Sequence, residues 1–184
     1  MRSIALFITR VIFGSYLAVH GAQKLFGSFG GYGLEATGSA FEGMGLKPGK
    51  AMAAVAGASE LGGGVLTATG IADPLGPLTL VGTMAVASTV HRQQGPLSTN
   101  GGFELPLTNF ALALTLMTTG PGHLRLGPHL SRHLTRAAAV GGVALAGYSI
   151  SQLLRNKPGP VLEVVDDPGG PENDEDEVVA PSSF

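Results

Sequence analysis

The sequence predicts an all-α integral membrane protein, and three observations carry that expectation. Five weakly hydrophobic stretches, each about long enough to cross a bilayer, fill most of the 184 residues. Charged residues make up only 13% of the chain, against about 25% in an ordinary soluble domain. The 29 glycines are too many for a soluble helical domain, but they suit membrane helices, whose backbones approach through small residues.

The first stretch covers residues 4–19 and continues helically to Lys24. It resembles a signal peptide weakly. Arg10 within the run, and the lack of a small-x-small cleavage site after it, make it a retained span. A glycine-rich piece, 27–33, opens a polar connection over 27–50 that suits the interface. The second stretch, 51–72, stops at Asp73-Pro74, a helix breaker. The third, 75–90, ends at His91-Arg92, and a turn-rich loop over 93–102 follows. Begun at Gly101, the fourth stretch reaches Thr119, roughly the 20 residues a span requires. Its first turn then holds Pro106, which is tolerated there, and Glu104, which the helix dipole favours. Gly120-Pro121-Gly122 closes it. Residues 123–136, with leucines among three Arg and three His, suit an interfacial linker. The fifth stretch, 137–157, is the least hydrophobic, and the tail over 158–184 is too acidic and too rich in Pro and Gly to order itself.

Charge divides the chain. All 11 Lys and Arg precede Pro158 and meet only five acids there, a formal +6, whereas the last 27 residues carry eight acids and no Lys or Arg. Lys and Arg are spread too evenly between the two membrane faces for the positive-inside rule to set orientation. Cysteine is absent, which excludes disulfides, Fe–S clusters, thiolate nucleophiles and Cys-based zinc sites. No cofactor is expected to be bound covalently or by metal ligation. His129 and His133 are four residues apart, but Arg132 and Arg136 would repel a cation. Nothing points to nucleic acid; the positive core suits phospholipid.

Ionisable residues inside the spans mark the candidate site, because charge in lipid needs a partner or a water-filled cavity. Arg10 lies about 10 Å in from the N-terminal face, and Glu60 about 15 Å in from the other, by helical rise. In a core about 30 Å thick these depths nearly coincide, so an Arg10–Glu60 intramembrane ion pair is expected. Antiparallel spans also bring His20, Lys24, His91 and Glu104 to one level on the opposite face. Each has a plain alternative: snorkelling for His20 and Lys24, helix-end electrostatics for His91 and Glu104. Their convergence, with Glu60, defines a polar site that could hold a quinone. Quinones are flat and lipid-borne and need a proton donor near each carbonyl.

Arg10, the run His20-Gly21-x-x-Lys24-Leu25, the Ala58-Ser59-Glu60-Leu61-Gly62-Gly63 helix, the Asn100-Gly101-Gly102-Phe103-Glu104-Leu105-Pro106-Leu107 run and Gly120-Pro121-Gly122 together resemble the DoxX family of integral membrane proteins. The resemblance covers about residues 4–122. It implies a four-helix membrane bundle over 1–122, with the linker, a fifth and more peripheral helix, and the disordered acidic tail as additions. Family members include a small subunit of a thiosulfate:quinone oxidoreductase, and actinobacterial relatives are linked to redox-stress complexes. The expected function is therefore an accessory or anchoring plasma-membrane subunit of a respiratory or redox-stress oxidoreductase complex, beside a quinone. A quinone-reducing subunit is the alternative, and a small transporter or proton path is a third reading. The expected partners are the lipid bilayer and other membrane oxidoreductase subunits.

Overall fold

A computed structural model describes residues 2–156; the expected acidic tail lies outside the described residues. Six α-helices follow in order: α1 (Arg2–Phe26), α2 (Gly33–Gly43), α3 (Gly49–Thr69), α4 (Leu75–Val90), α5 (Glu104–Thr119) and α6 (Arg132–Arg155). Among the described residues there is no strand. Three helices are long and apolar enough to cross a membrane: α1 over Ser3–Phe26, α3 and α6.

Helix α4 begins and ends where the sequence expected. Helix α5 starts at Glu104 rather than Gly101 and is 16 residues long, about 24 Å. The loop before it folds back instead: Gly101 sits at φ 72, and the Glu104 carboxylate accepts from the Ser98 amide at 2.9 Å and from the Ser98 hydroxyl. Helix α6 starts five residues earlier than expected, inside the linker, because Ser131 caps it by accepting from the Leu134 amide. His133 is therefore helical while His129 lies before the helix, so the two do not share a helix face. The polar connection is not simply a loop. It forms α2, and Glu42 Oε2 accepts from the Gly49 amide at 2.6 Å, placing a carboxylate on the N-terminus of α3.

Glycine sets the α1–α3 packing. A Cβ at Gly14 would run into the Gly64 carbonyl and Ala68; one at Gly21 would run into Leu61 and the Gly57 carbonyl. The two helices thus lie backbone to backbone, antiparallel, in one register. Side chains fill the other seam: Phe13 and Leu17 of α1, Leu80 and Met84 of α4, and Ala113 and Leu116 of α5 form the buried apolar cluster. Helix α6 packs on α4, outside the four-helix core of α1, α3, α4 and α5. Its C-terminal end is tied down on the far side. Gln152 accepts from the Lys47 amide at 2.6 Å and donates to the Lys47 carbonyl at 2.7 Å, and Asn156 donates to the Gly45 carbonyl at 2.7 Å.

A charged interhelical cavity as candidate site

The α1–α3 register decides which charges meet. With Gly14 against Gly64 and Gly21 against Gly57 and Leu61, Glu60 stands at the level of residues near 20 of α1. That is ten residues beyond Arg10, about 15 Å along the helix. The expected Arg10–Glu60 ion pair is therefore not formed. Glu60 pairs with Lys24 instead, Nζ to Oε2 at 2.8 Å. The depth estimate failed because it counted residues from presumed membrane faces, whereas contacts between glycines fix where α3 stands against α1.

Arg10 has its own partners at the other pole. Its Nη1 donates to the Pro121 carbonyl at 2.5 Å and its Nη2 to the Leu124 carbonyl at 2.6 Å. The guanidinium lies over Gly70, at the end of α3, where a Cβ would strike it. These bonds hold the segment between α5 and α6 as a strap across the α3–α4 turn. The strap is further bonded from the Leu126 amide to the Thr69 carbonyl, from the Ala72 amide to the Pro128 carbonyl and from the Leu130 amide to the Asp73 carbonyl. His129 Nδ1 lies 3.4 Å from Asp73 Oδ2. Burial raises the Asp73 carboxyl above its ordinary range, and His129, Arg10 and Arg125 pull it back only incompletely.

A cavity of about 750 Å³ occupies the Lys24–Glu60 pole, within the range of roughly 300–1,000 Å³ usual for small-molecule sites. His20, Lys24, Glu60 and His91 all line it. Glu104 does not; it is turned to Ser98, while its neighbours Leu105, Pro106 and Asn109 reach the cavity. Glu60 is 5% exposed and sits on the cavity wall. Among the described residues its Oε1 has no hydrogen-bond partner, and neither ring nitrogen of His20 has one. The His20 ring stands edge-on to Tyr16, centroids 4.6 Å apart. His91 Nδ1 lies 2.7 Å from the Gly101 carbonyl. A carbonyl can only accept, so Nδ1 carries a proton.

Several lining residues were not anticipated. Tyr16 and Gln23 stand four and three residues from His20 on α1, and that spacing would have found them; Ser59 is the sequence neighbour of Glu60. Gly141, Gly142 and Ala146 of α6 also line the cavity, and no local signal joined them to His20 and Lys24, more than 100 residues away. Among the described residues no three His, Asp or Glu side chains gather to hold a metal ion.

An all-α bundle with helices of spanning length, a buried ion pair and a cavity between helices defines a helical membrane protein. Residues 5–92 match the family model described as DoxX, from the first turns of α1 to just past α4, and mark this part of the chain as a DoxX domain. DoxX is a membrane family often associated with oxidoreductase-related roles. No curated protein and no solved structure matches the chain. Helix α5, the strap and α6 lie beyond the matched residues.

Proposed function

We propose that this chain is a multi-pass plasma-membrane subunit of an oxidoreductase complex and that its cavity holds a quinone head. The observation that carries the reading is the cavity wall formed by Glu60, Lys24 and His20. There, among the described residues, the buried ion pair leaves Glu60 Oε1 without a hydrogen-bond partner, and neither ring nitrogen of His20 has one. Fully partnered, such a pair would be a structural clamp. Facing a cavity, it can donate to one quinone carbonyl and carry protons to it. The chain has no cysteine for an Fe–S cluster, so electrons would come from a partner protein. The accessory reading therefore stands ahead of the self-sufficient catalytic one, and plasma-membrane oxidoreductase or respiratory subunits are the expected partners.

The test has two arms. The full chain in mild detergent is titrated with a soluble quinone analogue, and the same preparation is analysed for stoichiometric partners. Saturable binding that Glu60→Gln and His20→Ala each weaken by about tenfold supports the reading. No saturable binding at all defeats it. A co-purified flavoprotein or haem protein that reduces the bound quinone would establish the complex and identify its electron donor.

A further inference from the structure

The carboxylate, ammonium and imidazole of the proposed site share one wall, on α1 and α3. Helix α5 lines the same cavity with Leu105, Pro106 and Asn109, and of these only Asn109 has a polar side chain. Among the described residues its amide has no hydrogen-bond partner. The four threonines of α5 differ: Thr108, Thr115, Thr118 and Thr119 each bond back to a carbonyl of their own helix. An unpaired amide partway along a membrane helix is costly unless something in the cavity meets it.

Packing fixes its height and its direction. Leu17 of α1 and Met84 of α4 belong to the buried apolar cluster and also line the cavity, so they form its floor. Ala113 of α5 completes that layer of the cluster. Helices α1 and α4 run toward the Lys24 pole and α5 runs away from it. His20 therefore stands three residues above Leu17, about 4.5 Å, and Asn109 four residues above Ala113, about 6 Å. Glu60, facing α1 near residue 20, shares this first layer above the floor. Lys24 is a turn higher, and His91 stands seven residues above Met84, about 10 Å, with Nδ1 committed to Gly101. Helix α3 packs on α1 and α4, whereas α5 packs on α4 and meets α1 in the apolar cluster. Glu60 and Asn109 thus face the cavity from helices diagonal to each other.

We infer that Asn109 is the second binding pole of the site: its side-chain amide donates to the ring carbonyl that points away from Glu60. This rests on the quinone reading above and specifies the ligand as a 1,4-quinone, whose two carbonyls leave opposite ends of the ring, rather than a molecule with one polar end. An amide offers two N–H donors and no titratable proton, so Asn109 orients the ring and does not protonate it. Proton chemistry stays with the wall of Glu60 and His20. Ser59 cannot take this part, because it neighbours Glu60 on the same helix.

The experiment binds tetramethyl-1,4-benzoquinone to the full chain in mild detergent and reads affinity together with the infrared carbonyl stretches of the bound probe. A hydrogen bond lowers the stretch of the carbonyl that accepts it, so in wild type both carbonyls should lie below the free probe. Asn109→Leu should return one stretch to the free position and weaken binding about tenfold, the loss of one hydrogen bond. Glu60→Gln should move the other stretch only. Thr108→Val is the control on the same helix; Thr108 bonds to the Glu104 carbonyl and does not line the cavity, so affinity and both stretches should stay as they are. If Asn109→Leu lowers the melting temperature sharply, Asn109→Ala removes the amide without bulk and provides the same comparison. Only one lowered stretch in wild type, unchanged affinity in the Asn109 variant, or weaker binding with both stretches unmoved overturns the second pole and leaves the quinone site standing. If the probe does not bind the wild type saturably, the quinone reading itself falls, and the role of Asn109 with it.

Discussion

Arg10 and Glu60 are both buried ionisable residues on neighbouring helices, yet the structure treats them oppositely. Arg10 is 2% exposed and spends its terminal nitrogens on two backbone carbonyls of the strap. Glu60 meets one lysine and turns its remaining capacity to a cavity. The comparison separates two uses of charge in a membrane protein. A cation closed over by carbonyls holds chain segments together. A charge left partly unpaired beside a cavity is poised for a ligand. Burial alone does not distinguish them, and Arg10 too leaves a buried atom, Nε, without a partner among the described residues; what distinguishes them is that Glu60 faces the cavity and Arg10 does not.

The largest effect should come from removing the spacing that keeps the poles apart. Gly64→Leu would drive a side chain into Gly14 and Ala18 of α1, force the helices apart and abolish a monodisperse folded species in detergent by size-exclusion chromatography. Retention of a native elution profile would show that the α1–α3 seam does not fix the register. Next is Arg10→Met, which strands two carbonyls and should cost about 3 kcal/mol in detergent unfolding. Quinone affinity of the folded fraction should stay within about twofold. If affinity collapses while stability holds, the two poles are not independent.

Lys24→Met leaves the Glu60 carboxylate buried and alone, so it should destabilise by about 2 kcal/mol. The double variant Lys24→Met/Glu60→Gln should recover most of that loss and still fail to bind quinone. Recovery of binding in the double variant would make the ion pair structural, like Arg10. The smallest effect concerns Asp73. Its folded carboxyl holds a proton more tightly than the unfolded one, so its stabilising contribution is complete below the ordinary carboxylate range near pH 4. The contribution is lost as pH rises through the raised folded value. Asp73→Asn should flatten the fall in melting temperature over that interval, leaving wild type and variant closest at the acid end. A steeper fall in the variant would show that the His129 contact, not burial, dominates.

Much of the fold was legible because it rests on local signals. His91-Arg92 ends one span and α4 occupies the expected residues, whereas α3 stops at Thr69 on the left-handed Gly70, three residues short of the end expected from Asp73-Pro74. His20 and Lys24 are one turn apart, and any helix there puts them on one face. What escaped was non-local. The start of α6 inside the linker came from a Ser131 cap, a signal present in the sequence but overshadowed by the charged residues around it. The partner of Arg10 could not be read, because Pro121 and Leu124 offer backbone carbonyls, which every residue has.

Composition and periodicity alone were enough to dictate an all-helical chain for lipid, with charge buried at Arg10 and Glu60, because transfer into hydrocarbon is costly and helices satisfy their own backbones. They could not dictate which charge meets which. That depended on glycine contacts far apart in the chain, where a one-turn slip between α1 and α3 moves a carboxylate by about 5.4 Å. Only the packed bundle placed Lys24 on Glu60, left Arg10 to the strap and brought α6 round to wall the cavity.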